Sequence, residues 1–361
     1  MTNSAMAIPK KNQLVGLDVG SHSIKLVEID HSKKGPILKN FGIACLPVNA
    51  IVEGSIKEPE IVSSAIKNLY KNLKVKNKRV ATSISGYSVI VKKIDLPEKQ
   101  DTDLESAIQE VAEQYIPFDI NDVNLDYELI PPATGDKDKQ QVRNREVILV
   151  AAKKEIVDQY TEMFEMAGLT PAVLDVDAFA LQNAFEVSTP DATGCYALVN
   201  IGAEELGINA VKNGVSMFTR DSSYGGRQIT EALMKKLGVS FEEAEKIKLG
   251  GIKLEKDRHV VEDIFTSVVS SWVQEIRRAL DFLATTYPDE TIERIFLGGG
   301  SSRIPGLKKY LQLETGIPVE ILNPFSNLII NEKQFDLKYL TYMAPQAAVA
   351  VGLAFRSLGD K

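Results

Sequence analysis

Two short apolar runs, 14–19 and 24–29, flank the polar segment Gly20-Ser21-His22-Ser23, a pattern that predicts two strands of a hairpin joined by a tight turn. A third strand is predicted over 37–43. From 59 to 73 the period lengthens, and Ile61, Ala65, Ile66 and Leu69 share one helical face. Strand character returns over 80–96. A helix over 103–115 is halted at Pro117. Residues 131–146 are polar and turn-rich and predict a mobile loop or hairpin tip. A strand over 147–151 and an amphipathic helix over 155–167 follow, the helix carrying Ile156, Val157, Tyr160, Met163, Phe164 and Ala167 at helical spacing.

Near 196 the pattern restarts. Strands are predicted over 196–201, 206–211 and 215–220, helices over 226–248 and about 262–286, the latter with Ile264, Phe265, Val268, Val269, Trp272, Ile276, Ala279 and Leu283 on its core stripe. The stretch "RIFLGGGSSRIPGL" reads as strand, glycine turn and helix, and an Ala/Val-rich helix over 345–358 closes the chain. Aligning the two hairpins places Asp18 on Asn200, Gly20 on Gly202 and Ser21 on Ala203, an offset of 182 residues. An internal duplication of about half the chain is therefore expected.

Composition narrows the class. A chain of 361 residues suggests two large domains at ~150 residues each. The hydrophobic share of 44% and charged share of 25% fit a soluble globular protein, and the net charge of −7 argues against nucleic-acid binding. Cys45 and Cys195 lie in apolar stretches and read as buried core thiols, without a disulfide framework. The first 13 residues lack the order of a signal peptide and read as a solvated lead-in, and no run is long enough to span a membrane.

The first turn has the parts of a phosphate loop. Gly20 lets backbone approach an anion, and successive N–H groups can form an anion nest. Asp18 could hold Mg²⁺ through water, and Lys25 could bring a point charge to a phosphate. An ordinary Gly-Ser hairpin is the alternative. In the second turn Gly202 and Ala203 would face the same phosphates, while Glu204 and Glu205 could be merely solvated. The cluster Gly298-Gly299-Gly300-Ser301, between a strand and a helix, would admit a flat ring or ribose. His22, His31 and His259 have no metal-ligand spacing, and His22 reads as a surface turn residue.

Taken in order, "LDVGSHSIK", "LVNIGAEELGI" and "IFLGGGSSRIPGL" resemble the two phosphate motifs and the adenosine motif of the actin-like ATPase superfamily, and "PAVLDVDAFALQNAF" and "APQAAVAVGLAF" resemble its two connecting helices. The resemblance implies an α/β actin-like ATPase fold of two RNase-H-like halves closing on ATP and Mg²⁺. It implies Asp18 at the metal and Gly20, Ser21, His22, Ser23, Lys25, Asn200, Gly202, Ala203, Glu204, Gly225, Gly226, Gly298, Gly299, Gly300 and Ser301 around the nucleotide. The segment 224–250 is similar to the FtsA branch, which adds Glu243 and Lys246 at the ribose or adenine. The same branch implies a small inserted subdomain over 85–168. The first half then covers 1–84, 169–193 and 336–361, the second covers 194–225 and 291–335, and a further subdomain covers 226–290. Two departures matter. Asn200 stands where an acidic residue is usual and supplies no charge. Asp175 is the best match to the catalytic, water-orienting position, with Asp177 next, though either could be a helix N-cap. ATP binding with weak or absent hydrolysis is expected.

"VAEQYIPFDINDVNLDYELI", "VAAKKEIVDQYTEMFEMAGL" and "SMFTRDSSYGGRQI" are similar to the PilM family of type IV pilus assembly proteins. That resemblance implies a cytoplasmic component peripheral to the inner membrane. It would bind the N-terminal cytoplasmic segment of PilN, and through it PilO and PilP, in a groove between the inserted subdomain and the first half. Tyr115, Ile116, Pro117 and Phe118 are the candidate groove wall, and self-association is a further expectation. The chain ends at "AFRSLGDK" without the amphipathic helix by which FtsA attaches to lipid, so no direct membrane insertion is expected. The alternatives are an FtsA-like filament former in division or cell shape, or a sugar or acetate kinase on the same fold.

Overall fold

The computed structural model describes residues 9–96, 104–130, 145–252 and 254–360. It begins with a meander. Strand β1 (Val15–Val19), buried along its whole length, pairs antiparallel with β2 (Ser23–Ser32), which pairs antiparallel with β3 (Gly35–Cys45). A hairpin of β4 (Ile51–Val52) and β5 (Ser55–Ile56) leads into α1 (Pro59–Leu73), which starts on a proline, where a missing N–H costs nothing. Strand β6 (Arg79–Ile84) returns parallel to β1.

The strand expected over 80–96 is broken. Gly86 adopts φ +78, and the chain leaves the main sheet to begin another with β7 (Val89–Leu96). Helix α2 (Leu104–Tyr115) covers this second sheet, completed by β8 (Val123–Leu129) and β9 (Arg145–Lys153) in the order β7-β9-β8. It has its own core, including Ile94, Ile108, Ala112, Ile116, Val147 and Leu149. Helix α3 (Lys154–Met166) does not belong to it, because Ile156, Tyr160, Met163 and Phe164 enter the core of the first half. The inserted unit is thus 89–153, shorter than the 85–168 expected. The loop expected at 131–146 lies, except for its last two residues, outside the described residues. Strand β10 (Thr170–Val176), parallel to β6, completes the main sheet in the order β10-β6-β1-β2-β3.

Helix α4 (Asp177–Ser188) crosses into the second half, where the plan repeats. Strands β11 (Cys195–Ile201), β12 (Leu206–Lys212) and β13 (Val215–Ser222) form a second meander. Helices α5 (Gly226–Leu237), α6 (Phe241–Lys248) and α7 (Arg258–Thr286) follow, the stretch 226–248 being divided at Gly238, which adopts φ +66. Strand β14 (Ile292–Gly298) is parallel to β11. Helix α8 (Leu307–Thr315) then leads to β15 (Val319–Ile321), giving the order β13-β12-β11-β14-β15. In both halves the strands run third, second, first, fourth, fifth, so the duplication extends from the hairpins to the whole topology. Trp272, Val269 and Ile276 of α7 share one core with Ala197, Val199 and Leu297, so 226–290 has no core of its own.

The chain finally returns to the first half. Phe325 and Leu328 pack with Val27 and Ile29, joined by α9 (Leu337–Met343) and α10 (Ala348–Ala354). The closing helix expected over 345–358 is shorter, beginning after a 3-10 turn and ending at Ala354. Helix α10 crosses α4 without room for side chains: a Cβ at Gly352 would overlap the Ala180 carbonyl, and one at Gly16 of β1 would overlap backbone of α10. Overpacking of this kind costs typically about 1–3 kcal/mol. Gly352→Ala is therefore expected to lower the thermal midpoint by several degrees in a calorimetric scan, whereas an unchanged midpoint would mean that this crossing does not constrain the fold.

Candidate functional site

The two halves present matching turns. Gly20 N–H donates to the Ser23 carbonyl (3.3 Å), and Gly202 N–H donates to the Glu205 carbonyl (2.8 Å), so each four-residue turn closes the same way. Both turns line one cleft of about 560 Å³, within the ~300–1,000 Å³ usual for small-molecule sites. The third glycine turn lines it as well. Gly299 adopts φ +84, where a Cβ would overlap Ile201 backbone, and Ser301 Oγ donates to the Gly202 carbonyl (2.7 Å). Gly225 and Gly226 stand behind the second turn. A Cβ at Gly225 would overlap Ala203, while Gly226 N–H donates to the Gly202 carbonyl (3.0 Å) and Arg227 N–H to the Ala203 carbonyl (2.8 Å).

The cleft carries charge of both signs. Directly across the β1–β2 ladder from Asp18, Lys25 puts its ammonium 3.2 Å from the Asp18 carboxylate. At the corresponding position of the second half, Asn200 faces Gly207. Arg227 pairs with Glu204 and reaches the Ser21 carbonyl at 3.4 Å, joining the two turns across the cleft. Lys246 and Lys248 add positive charge from α6. His22 turns into the cleft, with its ring 6.0 Å from that of Phe241, and burial lowers its pKa against the pull of Glu245. The surface position expected for it is corrected accordingly. The buried Gln346 Oε1, on a cleft-lining residue, accepts no hydrogen bond. The glycine cradle and the cations fit a polyphosphate. Among the described residues no three His, Cys, Asp or Glu side chains converge to hold a metal ion directly, so a cation at Asp18 would keep much of its water shell.

A group of carboxylates lies between the halves. Burial and the charge of Asp18 push Asp177 up from the usual range, against a hydrogen bond from Ser83. Burial pushes Glu205 up to about 7, opposed by a hydrogen bond from Ser85 and aided by Asp221, Glu204 and Glu53. Of the two readings left open for Glu205, the merely solvated one is excluded: Ser85 Oγ donates to its Oε2 at 2.5 Å. Burial also raises Asp221, opposed by the Gly86 N–H, which donates to its Oδ2 at 2.9 Å.

Most of the expected contacts meet in the cleft: Asp18, Gly20, Ser21, His22, Ser23, Lys25, Asn200, Gly202, Ala203, Glu204, Lys246, Gly299, Gly300 and Ser301 line it. Gly225, Gly226 and Gly298 lie behind this lining. Glu243 does not reach the cleft, because it closes a capping box with Ser240 at the start of α6; Glu245 faces inward instead. Asp175 is also elsewhere, paired with Arg356 at 3.3 Å, and Asp177 takes the cleft position. Sequence reasoning missed Arg227, Glu245 and Lys248. Cys45, expected in the core, is exposed, while Cys195 is buried.

Asp175 lines a second cavity of about 400 Å³, between β8 of the inserted sheet and β10 with α4. Leu129, Ile148, Val150, Leu174 and Phe179 give it apolar walls, and Asp126, Glu128 and Glu186 make it acidic. Both strands are outer members of their sheets, β8 pairing with β9 and β10 with β6. The candidate wall at 115–118 lies elsewhere. Ile116 is buried in the inserted core, Phe118 packs against that core beneath the Lys153 ammonium (4.3 Å to the ring centroid), and Tyr115 is exposed. Among the described residues no helix is long and apolar enough to cross a membrane.

The model of the family described as type IV pilus assembly protein PilM matches residues 16–358. The structure of a PilM-PilN type IV pilus biogenesis complex superposes with a TM-score of 0.83 at 28% identity, covering 95% of this chain and 97% of that one. The ethanolamine utilization protein EutJ from Carboxydothermus hydrogenoformans is similar with a TM-score of 0.58 at 16% identity, covering 97% and 91%. The fold is that of the actin-like ATPases.

The raised carboxyls have a consequence for stability. In the unfolded chain Glu205 ionises near pH ~4.3, whereas in the folded protein it keeps its proton to about 7. Between those values the folded state binds more protons, so this group makes stability fall as pH rises. The lowered His22 and His31 act oppositely, below about pH 6.5. Glu205→Gln, which keeps an acceptor for Ser85, should flatten the loss and raise the thermal midpoint at pH ~7.5 relative to wild type more than at pH ~5. An equal shift at both pH values would contradict the assignment.

Proposed function

Because the chain belongs to the PilM family of type IV pilus assembly proteins, we propose that it is the nucleotide-binding adaptor of the pilus inner-membrane assembly, holding Mg²⁺ and ATP in its cleft and a PilN segment in its groove. The observation that carries the nucleotide half of this reading is the pair of matching turns joined by Arg227. Gly20–Ser23 and Gly202–Glu205 would bracket the phosphates, with Lys25 and Arg227 offsetting their charge. Asp18 would hold Mg²⁺ through water, and the ion would neutralise phosphate charge that Lys25 and Arg227 leave. The turn at Gly299-Gly300-Ser301, in the same cleft as Lys246 and Leu249, would take the nucleoside. Turnover is slow in this reading. Asn200 stands where an acidic residue is usual and adds no charge there.

The groove suits an extended peptide. A strand laid along the free edge of β8 or β10 would gain main-chain hydrogen bonds, its apolar side chains would meet Ile148, Val150 and Phe179, and a basic one would meet Asp126, Glu128 or Glu186. PilN, the partner named in the PilM-PilN complex of a relative, is the occupant we infer, through its N-terminal segment, and PilO and PilP would be reached through it. Recruitment to the cytoplasmic face of the inner membrane would follow from that contact.

Calorimetry tests both halves. Wild type should bind ATP with Mg²⁺, and Asp18→Ala should weaken it by about tenfold or more, the effect of losing one charged contact. A synthetic PilN N-terminal peptide should bind wild type, and Asp126→Lys combined with Glu128→Lys should weaken it about tenfold at low salt without changing ATP affinity. Peptide binding unaffected by this double reversal would place the partner elsewhere.

A further inference from the structure

The turn at 85–88 leads from β6 of the main sheet into β7, the first strand of the inserted sheet. Two carboxylates of the opposite half hold it. Ser85 Oγ donates to Glu205 (2.5 Å), and Gly86 N–H donates to Asp221 (2.9 Å). Glu205 is the residue that closes the second phosphate turn, its carbonyl accepting from Gly202 N–H. Asp221 stands on β13 opposite Gly207, where the missing side chain leaves room for it. Gly86 has φ +78, and a Cβ there would run into the Glu205 carboxylate, so the fit requires glycine twice over. Further along β7, the Lys93 ammonium lies 5.8 Å from the ring centroid of Tyr287, at the end of α7. The inserted sheet is therefore tied covalently to the first half, into whose core it packs Val89 and Ala152, and it also meets the second half, through the turn at 85–86 and through Lys93 on Tyr287.

We propose that this clasp, Ser85 and Gly86 on Glu205 and Asp221, couples the phosphate cleft to the peptide groove by setting the angle of the inserted sheet. The proposal rests on the function argued above and supplies its regulation. One four-residue turn faces the cleft on one side and grips the hinge of the inserted unit on the other. When phosphate draws the second turn toward the first, Glu205 and Asp221 carry residues 85–86 with them. Strands β7, β9 and β8 move as one ladder, and β8 is a wall of the groove. By linkage, an occupant of the groove changes nucleotide affinity by the factor with which nucleotide changes its own.

Hydrogen exchange on the full chain, with and without Mg²⁺ and ATP, tests the clasp, with calorimetry on the same samples to establish that ATP is bound. In wild type, ATP should change exchange across β7 and β8 by about tenfold, the scale of one charge-assisted hydrogen bond. Asp221→Ala, which lies behind the cleft, should still bind ATP and show its effect at the second turn, yet lose the response in β7 and β8. Asp221→Asn keeps an acceptor for Gly86 and should keep the response. Ser85→Ala, a smaller change to packing, should diminish it as well. A folded, ATP-bound Asp221→Ala protein with an undiminished response would overturn the clasp, as would wild type that binds ATP with no response in the inserted sheet. Failure of wild type to bind ATP would instead overturn the nucleotide reading beneath it.

Discussion

Everything in this molecule is arranged around the close crossing of α4 and α10. Gly352 lies on the Ala180 carbonyl, and Gly16 of β1 lies on α10. With no side chain between them, the two duplicated sheets are brought near enough for their first turns to face each other. The cleft then needs no scaffold of its own, because each turn is the end of a buried strand pair. A protein interior is close-packed and transmits displacement, so the crossing that fixes the cleft also fixes how the halves sit against each other.

The duplicated halves have diverged in charge. The first turn keeps a carboxylate and an ammonium face to face at Asp18 and Lys25, while the second has Asn200 and Gly207. The second half instead places its acids at Glu204, Glu205 and Asp221, each bonded to the first half or its hinge, with Glu204 paired with Arg227 as well. The space left by Gly207 admits Asp221. One half thus keeps an ion pair at the head of its strand pair, and the other uses its acids to grip its partner.

Elements with strong local signals were legible in the sequence. The hairpins announced themselves by alternation around glycine turns, and the offset that aligned Asp18 with Asn200 also aligned Ser23 with Glu205. That correspondence was a usable signal for Glu205, since both residues face the cleft. Ser240-x-x-Glu243 was another, a capping box that marks Glu243 as a helix-terminus residue rather than a ligand contact. Asp175 and Asp177 could not be separated by pattern. Two residues apart, they would share a strand face, but α4 begins at Asp177 and rotates it into the cleft while Asp175 stays in the groove. Arg227, Glu245 and Lys248 sit on charged helices whose facing direction is set only by tertiary packing. The break at Gly86 was hidden because apolar character continues through it from one sheet into another.

The central claim is that the two duplicated turns hold a polyphosphate between them. A crystal structure of the full chain with Mg²⁺ and a non-hydrolysable ATP analogue addresses it most directly. The account predicts the β- and γ-phosphates between Gly20–Ser23 and Gly202–Glu205, with Lys25 and Arg227 turned toward them and the cation on the Asp18 side. Phosphates lying outside these turns, or a cleft free of nucleotide at saturating analogue, would contradict it.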